Sequence, residues 1–139
     1  MTVGVFRDQS IDEMLDITGS LGLDAVQLHG DETPEVAAAI ARHVPTLIKV
    51  VSPTGPWAFP IDAYGADIVM LDAPTPGGGV PFDWDVVGDL ATRHRILLAG
   101  GLRPETVAEA IRRVQPWGVD VASGVESSPG HKDHDAVTR

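Results

Sequence analysis

The chain is expected to fold as a single α/β domain, 1–139, in which parallel strands are joined by helices. Three observations carry that expectation. Short apolar runs alternate with amphipathic stretches at a regular spacing, the mark of βαβ units. The apolar runs are continuous rather than alternating, as in strands covered on both faces. No low-complexity linker divides the sequence. Periodicity alone leaves two architectures open, an open doubly wound sheet and part of an eight-stranded barrel; six strands suit the first and are two short of the second.

The elements follow in order. VGVF at Val3–Phe6 is a first strand. Ser10 and Glu13 have capping-box spacing, and Ile11, Met14, Leu15 and Thr18 then share a helical face, with Gly19 and Gly22 as stops. AVQL at Ala25–Leu28 is a second strand. Thr33 and Pro34 are the N-cap and first residue of a helix running to about His43. Residues 47–51 form a third strand. Pro53, Pro56 and Pro60 make the following stretch irregular, before a fourth strand at 67–71. Beyond the loop APTPGGGVP, Asp83 caps a helix with Trp84, Val87 and Leu90 on its apolar face. A fifth strand spans 95–99, and Pro104 opens a helix carrying Val107, Ala110, Ile111 and Val114. A sixth strand at 119–122 runs into SGVESSPGHKD and the start of a last helix. Trp57, Trp84 and Trp117 read as packing residues.

Composition narrows the function classes. Ten basic against twenty acidic residues leave a net charge of −10, which argues against nucleic acid and anionic membranes as partners. An anionic ligand would need local backbone amides. With no cysteine, neither disulfides nor thiolate metal sites are available. No signal-like segment precedes Val3 and no apolar run nears the ~20 residues of a membrane span, so a soluble, cytoplasmic protein is expected.

The informative loops all follow strands, on the carboxyl side where parallel α/β folds build their sites. Gly100-Gly101-Leu102 and Ser123-Gly124-Val125 either make tight βα turns or offer backbone N–H groups to a phosphate. Asp72 directly follows an apolar run; dehydration there would favour the neutral carboxyl that a general acid needs, the alternative being a turn residue. His29 either donates to a substrate or satisfies a backbone carbonyl. His131 and His134 flank a helix start, and with no third ligand in view a solvated cap fits them better than a metal. In HGDE, Asp31 and Glu32 are read as helping to start the next helix.

LDAVQLHGDE, MLDAPTPGGGVPFDW, LLAGGLRPETV and GVDVASGVESSPGHKD, in that order, resemble the later part of phosphoribosylanthranilate isomerase, an enzyme family of tryptophan biosynthesis. VGVFRDQS resembles the family's third strand and its loop. The resemblance covers nearly the whole chain. It implies a (β/α)₈ TIM barrel, here a partial barrel of about six βα units, the third to eighth strands. It also implies an Amadori rearrangement of N-(5'-phosphoribosyl)anthranilate to 1-(2-carboxyphenylamino)-1-deoxyribulose 5-phosphate, without cofactor or metal. On that resemblance Asp72 matches the general acid. Gly100, Gly101, Ser123 and Gly124 match the phosphate-binding loops. Gln27, His29 and Asp120 fall near the substrate.

The pattern departs in places. The family's general base is a cysteine in a Lys-Ile-Cys-Gly motif on the first strand, and these residues hold neither. The first two βα units, and an arginine associated with anthranilate binding, are expected to be absent. PGGGVPFDW stands where GGTGKxFDW is usual. Three readings remain at this stage: an isomerase, a binding protein that keeps phosphate recognition without turnover, and a chain whose open barrel edges pair with another chain, as in a homodimer.

Overall fold

The computed structural model describes residues 1–52, 58–72 and 84–139, with backbone only for 84–86. Six strands join in sequence order in one sheet, and helices connect them. Neighbouring strands run parallel, with Val3 opposite Ala25, Ala25 opposite Thr46 and Leu97 opposite Gly118. Two compact units make up the chain, Met1–Val51 with Pro56–Met70, and Ser52–Gly55 with Leu71–Arg139. The expected α/β class with a parallel sheet is found.

In the first unit, β1 (Val3–Phe6) leads to α1 (Ile11–Leu21). Ser10 starts α1: its backbone is extended and its hydroxyl accepts from the Glu13 N–H, satisfying one of the donors a helix start leaves open. Met14 and Thr18 turn inward, and the left-handed Gly22 ends the helix by donating to the Thr18 carbonyl. Gly19 lies within the helix rather than stopping it. β2 (Ala25–Leu28) is buried at every residue. α2 (Pro34–Ala41) starts on Pro34, whose missing N–H costs nothing there, and ends two residues before the expected His43. β3 (Thr46–Val51) and a 3₁₀ turn, Ile61–Tyr64, precede β4 (Ile68–Asp72), which straddles the division. Phe6, Met14, Val26, Leu28, Ala37, Ile40, Leu47 and Tyr64 form the core, each large apolar side chain contributing roughly 1.5–3 kcal/mol on burial.

One expectation fails at β1. Val3 is 37% and Val5 61% exposed, so this strand is not covered on both faces. It stands first in the sheet order and alternate side chains leave on opposite faces; Phe6 goes to the core while Val3 and Val5 face out.

In the second unit, α3 (Trp84–Ala91) buries Val87 and Leu90 and packs on α4 (Pro104–Val114), which buries Ala110 and Val114 but leaves Ile111 exposed. β5 (Ile96–Ala99) precedes α4. β6 is only Gly118–Val119, shorter than the expected 119–122, because the backbone leaves the strand region by Ala122 (φ −109°, ψ −88°) and enters a 3₁₀ turn, Ser123–Val125. An unexpected antiparallel hairpin follows, β7 (Glu126–Ser128) and β8 (His131–Lys132), turned by a left-handed Gly130. His131 therefore lies on a strand, while Asp133 caps α5 (His134–Thr138). Trp117 is 59% exposed and is not a packing residue: it follows Pro116, ahead of a two-residue strand too short to bury it. Trp57, the Trp84 side chain, the Asp83 cap and the loop after Asp72 lie outside the described residues.

Candidate active site

In the first unit a buried ion pair ties together the carboxyl ends of three strands. Lys49, inside the apolar strand β3, places Nζ 2.7 Å from Glu32 Oε2, the two side chains 4% and 2% exposed. The ammonium also donates to the Gly30 carbonyl at 2.7 Å and lies 5.5 Å from the Tyr64 ring centroid. The Glu32 carboxylate accepts from the Asp8 N–H at 3.1 Å and the Gly30 N–H at 3.0 Å. Burial pushes the Glu32 carboxyl up, but the Lys49 ammonium and the Asp8 N–H outweigh it and hold the group below the ordinary glutamate value. Asp8 itself adopts a left-handed backbone (φ 61°) and accepts from the Asp31 N–H at 2.7 Å. Gly30 is required here, because a Cβ would collide with the Asp8 carboxylate.

This overturns the expectation for Glu32, which turns into the core rather than starting α2. Its partner, Lys49, was missed by the sequence reading. The signal was present in LIKVV, where a lysine interrupts a buried apolar run and so needs a buried anion.

His29 immediately follows β2 and is part-buried; its backbone N–H donates to the Phe6 carbonyl at 2.8 Å. Its Nδ1 lies 3.4 Å from Nε2 of Gln27, which is 9% exposed on β2. The two are thus neighbours, Gln27 on the strand and His29 at the start of the loop that the Glu32–Lys49 pair holds.

In the second unit, Asp72 is the last residue of β4 and part-buried. Gly100 and Gly101 directly follow β5, both left-handed at φ 87° and 61°, a backbone that favours glycine. The Gly124 backbone lies so close to the Leu102 carbonyl that a Cβ could not be added. The loops at 100–102 and 123–124, far apart in sequence, are therefore in contact. Ser123 is exposed in the 3₁₀ turn. Asp120 follows β6, exposed, with its N–H donating to the Leu98 carbonyl at 2.8 Å. Among the described residues no three His, Asp or Glu side chains gather as metal ligands would. Nor is any described helix long and apolar enough to cross a membrane.

The model of the N-(5'-phosphoribosyl)anthranilate isomerase family matches residues 1–139. The chain belongs to this family. N-(5'-phosphoribosyl)anthranilate isomerases of Trichlorobacter lovleyi and Myxococcus xanthus are each 44% identical to it, over 97% of the chain and 67% and 66% of their own lengths. The chain spans about two thirds of the relatives it matches, 64% for the isomerase of Pelobacter propionicus. Among solved structures, the phosphoribosyl anthranilate isomerase of Thermus thermophilus superposes with a TM-score of 0.80 at 40% identity, over 97% of this chain and 67% of that one. A structure of monomers made from the dimeric isomerase of Thermotoga maritima gives 0.77 at 36% identity, with the same coverage. An isomerase in complex with reduced 1-(o-carboxyphenylamino)-1-deoxyribulose 5-phosphate gives 0.75 at 36%, over 97% of this chain and 66% of that one.

Proposed function

We propose that the chain isomerises N-(5'-phosphoribosyl)anthranilate, in tryptophan biosynthesis, to the carboxyphenylamino-deoxyribulose phosphate, on a partial (β/α)₈ barrel corresponding to the third to eighth strands. The observation that carries the reading is the family match over the whole chain. The contact between the two glycine-containing loops supports the phosphate subsite: Gly100, Gly101, Ser123 and Gly124 would surround the 5'-phosphate with backbone N–H groups, the local help that a chain of net charge −10 needs. Gln27 and His29 would bind substrate in the first unit, and Asp120 in the second.

Asp72 protonates the furanose ring oxygen. The bond from that oxygen to the anomeric carbon breaks, the oxygen leaves as a hydroxyl, and the nitrogen lone pair forms the Schiff base. Loss of the C2 proton to a base gives the enolamine. A proton entering at C1 as the enol O–H is lost yields the ketone, so no net proton is gained. Among these 139 residues no cysteine is available for the proton removal at C2, so that step needs a base of another kind. Loss of a general base lowers such a rate by of order 10²–10⁴.

Turnover of N-(5'-phosphoribosyl)anthranilate by the purified chain tests the proposal. Slow conversion, lowered a further ~10²-fold or more in Asp72→Asn, is the expected result. A second reading, phosphate recognition without turnover, is favoured by the contact between the two glycine-containing loops, which needs no proton transfer; it predicts affinity for the reduced product analogue and no conversion. Pairing of two copies through β1, whose Val3 and Val5 are exposed, would appear as a dimer in ultracentrifugation.

A further inference from the structure

We propose that Lys132 is a positioning residue that clamps the phosphate-binding turn, acting through its two ends rather than on the phosphate itself. Lys132 Nζ donates to the Ala122 carbonyl at 2.8 Å and to Glu126 Oε1 at 2.9 Å. Ala122 and Glu126 are the residues on either side of the 3₁₀ turn Ser123–Val125, so one ammonium closes the turn from N-cap to C-cap.

The hairpin delivers the lysine to this place. β7 and β8 pair Glu126 with Lys132, and the Asp133 N–H donates to the Val125 carbonyl at 2.8 Å. Ala122 needs such a hold because its backbone lies outside the helical and strand regions, and the bond its carbonyl receives from the Val125 N–H is long, 3.5 Å. The hydrogen bond from Lys132 holds the Glu126 carboxyl below its ordinary value; burial opposes it, and the Gly130 N–H adds to it, so this carboxyl is ionised at neutral pH. From the other side, the Gly124 backbone rests against the Leu102 carbonyl. The turn is thus pinned between the glycine loop after β5 and a lysine from the hairpin.

The inference rests on the proposed phosphate subsite. Its test reads two quantities by NMR in the full chain: the backbone amide exchange of Ser123 and Gly124 without ligand, and their shifts on titration with inorganic phosphate. Lys132→Ala should speed the exchange and weaken phosphate roughly two- to tenfold, the scale of ordering one loop on binding. Lys132→Arg should restore both. Glu126→Ala separates the clamp from simple charge attraction. It removes a negative charge, so attraction alone would tighten phosphate binding, whereas the clamp requires weaker binding. Tighter binding in Glu126→Ala, or unchanged exchange and affinity in Lys132→Ala, would overturn the clamp while leaving the phosphate subsite standing. A wild-type chain whose Ser123 and Gly124 amides ignore phosphate would overturn the subsite, and the clamp's purpose with it.

Discussion

At the scale of single residues, Lys49 and Glu32 decide more than any surface pair. Breaking a buried ion pair from one side leaves an uncompensated charge, so Lys49→Met should destabilise the fold by about 3–5 kcal/mol in denaturant unfolding. An effect within about 0.5 kcal/mol would mean that water reaches the pair. The pair also gives stability a pH dependence. Glu32 is held below its ordinary value of 4.5 in the folded chain, so the stability it contributes is present above that value and is lost as the pH falls through the lower folded value. Wild type should therefore lose stability on acidification below about pH 4.5, and Glu32→Gln should flatten that slope. Gly124→Ala is the matching test in the second unit. A methyl group there meets the Leu102 carbonyl, an overpacking that costs typically 1–3 kcal/mol and moves the proposed phosphate turn. The sequence exposed these residues unevenly. HGDE raised a question about its acids, but nothing local in it points to a lysine on the next strand. Only the charge inside LIKVV does, and it must be read as a demand for a partner.

At the scale of elements, local signals located the strands and helices where apolar periodicity was strong. α1 is the clearest case: Ser10 opens it, Met14 and Thr18 face inward and Gly22 closes it. Ser10→Ala should cost about 1 kcal/mol of stability, read from thermal or denaturant unfolding; no change would mean that the cap bond is made only weakly in solution. The β7–β8 hairpin was not readable, and the reason is physical. Its residues Glu126–Ser128 and His131–Lys132 are polar and mostly exposed, so no apolar period-2 pattern marks them, and the Pro129-Gly130 dipeptide signals a turn without showing that strands flank it. β6 was read too long for a related reason. VDVA has the composition of a strand, but the turn at Ala122 is set by tertiary partners, among them Lys132. Exposure at Val3, Val5 and Trp117 likewise depends on what neighbours exist, which composition does not encode.

For the whole molecule, alternating strands and helices sufficed to indicate a parallel α/β fold, while the choice of a barrel over an open sheet came from motif resemblance. The family match and the superposition on isomerase structures at TM-scores of 0.75–0.80 support that choice over the part the chain covers. The proposed function has these 139 residues perform the family's reaction with Asp72 as the acid. The most direct measurement is complementation of a tryptophan auxotroph lacking this isomerase, with wild type and Asp72→Asn at matched soluble expression. Slow growth with wild type and none with Asp72→Asn is the expected result. Equal growth with both, or no growth from abundant soluble wild type, would contradict it.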